Sequence, residues 1–200
     1  VKDPKLRELD ERAFLRRLNP ILRVYAAAMR PPEDQLPGRN TIMARHARHP
    51  RFRALVAEEP ARLPGRAGRI AGFCYGFRGC GGQWWHDVVY RELERLGGPE
   101  HADRWMADSF EVAELHVRPD AQGRGLGRAL LTAACEGREE ATVVLSTLDL
   151  DPESPARRLY RSVGLTDLFT GFAFPGGGPP YAVMGGALPL AAYRPASSSS

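Results

Sequence analysis

Residues 111–128, Glu111-Val-Ala-Glu-Leu-His-Val-Arg-Pro-Asp-Ala-Gln-Gly-Arg-Gly-Leu-Gly-Arg, constrain this chain more than any other stretch. Apolar alternation over 110–117 marks a strand, Pro119-Asp120 marks a turn, and a glycine-rich loop then leads into a helix opening near Leu126. Gly123, Gly125 and Gly127 stand at alternate positions, where bare backbone N–H groups can meet a ligand with no Cβ in the way. The positive end of the following helix dipole points at the same place, so the loop suits a phosphate. Arg124 and Arg128 add full positive charge beside it.

Spacing separates the phosphate-binding loops that share this outline. A P-loop needs Gly-Lys-Ser/Thr at the helix start, and that triplet is missing. A dinucleotide fingerprint needs its glycines directly after the strand. Here Arg128 takes the third glycine's place and five residues separate Val117 from Gly123. The pattern that fits is Gln/Arg-x-x-Gly-x-Gly/Ala behind a V-x-P strand end, met by Gln122, Gly125, Gly127, Val117 and Pro119. It resembles the pyrophosphate-binding motif of the GNAT superfamily of acetyl-CoA-dependent N-acetyltransferases.

The rest of the chain reads as one α/β domain over 1–194 with a polar tail, 195–200, expected to be disordered. Helical spacing of apolar residues covers 10–30, with Pro20 expected to bend or split the segment, and a short helix follows near 39–48. Strands at 52–57 and 69–77 form a hairpin around a Pro/Gly-rich turn at 60–68. Residues 83–107 read instead as an amphipathic helical segment that breaks at Gly97-Gly98. After the loop come a helix at 126–137, a strand at 142–148 and a helix capped by Ser154-Pro155 that ends near Gly164. A hairpin of 168–174 and 181–188 closes the order.

That order is similar to the GNAT fold, a mixed central sheet flanked by helices, here with a helical insertion (about 80–107) between the third and fourth strands. Ser154-Pro-Ala-Arg-Arg-Leu-Tyr-Arg-Ser-Val-Gly-Leu165 is similar to the family's Ala-x-x-Leu-Tyr-x-x-x-Gly-Phe helix. Leu165 replaces the usual Phe, and the frequent Asn near the helix start is absent.

The resemblance implies acetyl-CoA as cosubstrate, held by residues 122–128 (Gln122, Gly123, Arg124, Gly125, Leu126, Gly127, Arg128) and by the backbone of Leu115, His116 and Val117. Amide formation further needs a base for the amine, whose pKa in water is near 10. Glu111 and Glu114 are the candidates. Strand alternation sends the two to opposite faces, with Glu111 on the face of Ala113, Leu115 and Val117 unless a bulge intervenes. Counting back from Gln122, Glu111 better matches the family's base position, and a water relay is a third option. Tyr160 is the candidate donor to the leaving thiolate.

A net charge of +4, with arginines interspersed among glutamates, leaves no basic stripe for nucleic acid. No apolar run approaches a membrane span, and no signal-peptide core opens the sequence. Three cysteines without C-x-x-C spacing read as thiols of a cytoplasmic protein, and the Arg, Ala, Gly and Pro content reads as a GC-rich bacterial genome. His46 and His49, with His86, His101 and His116 scattered, lack the cysteine or carboxylate that would complete a metal set. For Trp84 and Trp85 three readings stand: an acceptor pocket, a homodimer surface, or packing of the inserted helix. The acceptor is an amine, of a small molecule or of a peptide, and the sequence favours the small molecule. The rival functions are a non-catalytic acyl-CoA sensor on the same fold and an interaction protein docking through the insertion.

Overall fold

A computed structural model describes residues 4–60 and 68–190. Most of the turn expected at 60–68 and the whole tail expected at 195–200 lie outside the described residues. Among the described residues seven strands form one sheet: β1 (Lys5–Leu9), β2 (Arg53–Glu59), β3 (Arg69–Arg78), β4 (Ser109–Val117), β5 (Thr142–Leu148), β6 (Thr166–Phe172) and β7 (Tyr181–Ala187). They lie in the order β1-β2-β3-β4-β5-β7-β6, and only the β4–β5 pair is parallel. The edge strand β1 holds two leucines among charged residues, of which only Leu9 is buried, and escapes a reading by hydrophobic pattern. Charge pairs hold it to its neighbour: Arg7 with Glu58, and Arg53 with Glu8.

The helices are α1 (Glu11–Arg16), α2 (Leu18–Met29), α3 (Leu36–His46), α4 (Trp84–Gly97), α5 (Pro99–Met106), α6 (Leu126–Cys135) and α7 (Pro155–Ser162). Asp10 caps α1 by accepting from the Ala13 N–H at 2.7 Å. The expected split falls at Arg17, and Pro20 sits in the first turn of α2, where its missing N–H has no intrahelical partner to lose.

Helices cover both faces of the sheet. On one side, α1–α3 lay Phe14, Ile21 and Met43 over Ala54, Val56, Phe73 and Tyr75. On the other, α6 and α7 lay Leu130, Leu131 and Tyr160 over Leu55, Cys74, Phe110 and Val143. The inserted pair α4–α5 packs Val89, Leu93, Ala102 and Met106 against Val144 of β5 and Val183 of β7. Packing therefore accounts for Trp85, which joins this cluster, whereas Trp84 is 57% exposed. Among the described residues no helix is long and apolar enough to cross a membrane.

Two features of β4 create an opening. Its ladder with β5 covers only Ser109–Glu111 against Thr142–Val144, so beyond Glu111 that edge of β4 has no partner strand among the described residues. One residue earlier in the pairing with β3, Tyr75 faces Glu114 but Gly76 faces Val112, which leaves Ala113 as an extra residue in a β-bulge. Gly76 is needed there, because a Cβ would lie 2.4 Å from the Glu111 carbonyl oxygen.

Candidate active site

The glycine loop is anchored before it opens. Arg118, at the end of β4, is 6% exposed and donates Nη1–H to Ile70 O at 2.9 Å, with Asp120 and Glu59 neutralising its charge. Gln122 donates its side-chain N–H to Val117 O at 3.0 Å, so its amide closes the loop on the strand. Gly123 and Gly125 both have φ +75°, a sign that L side chains adopt at a cost, and a Cβ at either would meet nothing within 4 Å. The outer side of the loop is thus open. Helix α6 begins behind Gly125 with no side-chain cap and no acid in its first turn, leaving its N–H groups and dipole for an anion.

Gly127 behaves differently from the other two. A Cβ there would lie 2.8 Å from Leu159 Cδ1, inside the α6–α7 contact. The sequence suggested that all three glycines clear a path for a ligand, but this one clears a path for a neighbouring helix. Arg128 likewise turns toward α7 and donates to Ser162 Oγ at 3.1 Å, while Arg124 is exposed on the loop.

The bulge at Ala113 corrects the expected facing of the two glutamates. Phe110 and Val112 point to the α6 side with Leu115 and Val117. The extra residue shifts the alternation, so Glu111, Ala113, Glu114 and His116 all face the opposite side. Their surroundings are nevertheless distinct. Glu111, 2% exposed, accepts from or shares a proton with His86 Nδ1 of α4 at 2.7 Å. Burial raises its pKa, with the His86 hydrogen bond pulling the other way. Glu114 has both oxygens engaged, one by Arg39 Nη1 of α3 at 3.0 Å and the other by His116 Nε2.

Tyr160 enters from α7 on the far side of the opening. Ser154 caps this helix, and Arg157, 3% exposed, clamps it between Asp149 and Asp167. Asp149 also accepts from Gly171 N at 2.7 Å, so one ion cluster ties α7 to β5 and β6. The Tyr160 ring is buried beside Cys74, and burial raises its pKa, which keeps the phenol protonated as a donor should be.

On the α2–α3 side, Tyr25 lies under the Arg39 guanidinium (4.9 Å) and against the His116 ring (5.3 Å). His46 and His49, ring to ring at 5.7 Å, are side-chain neighbours of Tyr75 and Phe77. His46 Nδ1 meets the Tyr75 hydroxyl at 3.2 Å, and burial first of all lowers its pKa to about 4. Among the described residues no group of three metal-ligating side chains assembles. Sequence reasoning missed His86, Arg39, Arg118 and Arg157. The Arg118-Pro-Asp120 spacing carried a local hint, whereas His86 and Arg39 act through contacts distant in sequence and Arg157 through Asp149 and Asp167, which no motif links to it.

The family model "Acetyltransferase (GNAT) domain" matches residues 50–165. "GCN5-like protein acetyltransferase Rv2170" of Mycobacterium tuberculosis is 38% identical over 88% of this chain and 93% of its own. Among solved structures, the Salmonella typhimurium acetyltransferase YncA with its cofactor acetyl-CoA superposes with a TM-score of 0.59 at 18% identity, over 98% of this chain and 99% of that one. The ribosomal-protein-S18-alanine N-acetyltransferase of Escherichia coli gives 0.57 at 18% identity, over 96% and 97%. With a family model spanning more than half its length and a relative at that identity, this chain belongs to the GNAT family of acetyltransferases.

Proposed function

We propose that this acetyltransferase moves the acetyl group of acetyl-CoA to an amine of a protein acceptor by direct attack, with no acetylated enzyme in between. The observation that carries the reading is the opening of β4 from β5 directly before an anchored loop of open N–H groups. The residues fit the cosubstrate. An extended pantetheine arm can pair with the vacant β4 edge at Leu115–Val117, as an added strand would. The pyrophosphate suits the loop and the start of α6 at 122–128. When bound, acetyl-CoA supplies an activated thioester; the chain's own residues supply proton transfer and position.

Glu111 is the better base. A base needs an unengaged lone pair and an affinity for protons near neutrality. Both Glu114 oxygens are taken, whereas Glu111 has one oxygen engaged and a raised pKa. Because Glu111 is so deeply buried, the amine proton reaches it through one water. Tyr160 donates to the sulfur as it leaves, a hydrogen bond rather than full transfer, since burial holds the phenol pKa still further above a thiol's. Backbone N–H groups on the open edge of β4 meet the oxygen that gains charge.

Two observations favour a protein amine over the small molecule suggested by sequence. The 38% identical relative carries the name of a protein acetyltransferase. In addition, Arg39 offsets Glu114, the carboxylate that would otherwise draw a polycation into the cleft. The test is thiol release from acetyl-CoA with lysine peptides, N-terminal peptides and polyamines as acceptors. Release with peptides supports the reading. Tight acetyl-CoA binding with no release for any amine would support the non-catalytic sensor.

A further inference from the structure

The inserted helix α4 does more than cover hydrophobic surface, because it delivers one side chain to Glu111. We propose that His86 is a positioning residue: it donates Nδ1–H to Glu111 Oε1, keeps this walled-off carboxylate ionised, and leaves Oε2 to take the amine's proton through one water. The inference rests on Glu111 being the base.

The site is cut to the carboxylate. A Cβ on Gly79 would lie 2.1 Å from Glu111 Oε1 and 2.5 Å from Ser109 Oγ, so only glycine leaves room for it. Glu111 and His86 are 2% and 7% exposed, and their contact is 2.7 Å. A carboxylate this dry, with no donor, would take up a proton and stop acting as a base. The other groups around the pair give little help. Asp87, the next residue on α4, is negative and is spent on the Gly82 N–H. Arg78 at the end of β3 is paired with Asp108. From β5 the neighbour is Val144, and from β4 the Ser109 hydroxyl is turned to Met106 O. His86 is thus the donor that the fold provides. It stacks on Tyr90 at 6.4 Å and, with Gly81, Asp87, Tyr90 and Arg91, lines a cavity of about 370 Å³.

The experiment is the pH profile of kcat/KM for one peptide amine, in the full chain, for wild type, His86→Leu, His86→Asn and Glu111→Gln. A hydrogen bond to a charged group is worth about one pH unit or more. Losing the donor raises the pKa of Glu111, so the acidic limb of His86→Leu should move to higher pH by about that amount. At pH values below the limb its rate should fall roughly tenfold, and it should recover at alkaline pH. His86→Asn, whose amide N–H can replace Nδ1–H, should keep its limb close to wild type. Superposed limbs for wild type and His86→Leu, or equal displacement of Asn and Leu, would overturn the proposal. Should His86→Leu not fold, His86→Ala with added imidazole gives the same readout, the imidazole returning the limb toward wild type; no return would count against the proposal. If Glu111→Gln keeps full turnover, the base assignment itself fails. If Glu111→Gln is inactive and the His86→Leu limb is unmoved, only the role of His86 fails.

Discussion

Gly127→Val should damage the fold rather than the cofactor site. A Cβ at this position would stand 2.8 Å from Leu159 Cδ1 and 4.0 Å from Val117 Cγ2. Carbon atoms rest about 3.5–4.0 Å apart, so even alanine asks the Leu159 methyl to move by about 1 Å. That methyl ends a flexible side chain, and alanine gains about 1 kcal/mol over glycine inside a helix, so Gly127→Ala should come out near neutral. Valine adds two methyl groups between α6 and α7, and overpacking of this kind costs about 1–3 kcal/mol. For a chain of this size that is a melting temperature lower by roughly 3–10 °C. Gly125→Ala is the counterpart: its Cβ would point into open space, but φ +75° strains any L residue by about 1–2 kcal/mol and distorts the loop. Thermal melts and acetyl-CoA titration calorimetry on both variants separate the two roles. A Gly127→Val protein that melts like wild type yet has lost acetyl-CoA would refute the assignment.

Tyr160→Phe should leave the melting temperature nearly unchanged and slow turnover by about 2–4 kcal/mol of barrier, because the thiolate charge develops only in the transition state. Unchanged turnover under chemistry-limited conditions would return this ring to the core alone. Glu111→Gln should alter stability with a definite sign. A carboxyl whose folded pKa is raised contributes stability that is fully present below its unfolded value, near 4.3, and lost as pH rises through the folded value. The variant, neutral throughout, should therefore gain on wild type in melts run from pH 4 to pH 8, and a difference flat with pH would contradict the shift. Arg157→Met takes one cation from Asp149, which keeps the Gly171 N–H, and from Asp167, which keeps Arg161, and should cost roughly 1–3 kcal/mol in denaturant unfolding. A loss under about 1 kcal/mol would mean that the cluster is not what holds α7.

The strand–loop–helix at 110–135 was legible because three local signals coincide there: apolar alternation, turn residues and glycines at fixed offsets. The inserted helices were legible for the same reason, since Trp85, Val89 and Leu93 repeat at helical spacing and Gly97-Gly98 ends the run. β1 was not. Its Lys-Leu-Arg-Glu-Leu is held by cross-strand charges that no single-strand pattern displays. The bulge at Ala113 was hidden too, because the residue that permits it is Gly76 on the neighbouring strand. That one insertion decides which face both glutamates share, so the sequence could name the candidate bases without ordering their surroundings. His86 and Arg39, which separate the two chemically, come from helices 25 and 75 residues away along the chain.

The account stands on Glu111 taking the amine's proton during transfer from acetyl-CoA. Thiol release with a saturating peptide amine, under conditions where chemistry limits the rate, compares Glu111→Gln with wild type while calorimetry follows acetyl-CoA binding. The account predicts turnover lower by about 10²- to 10⁴-fold with cofactor affinity unchanged. Wild-type turnover in Glu111→Gln, or an equal loss appearing only in Glu114→Gln, would contradict it.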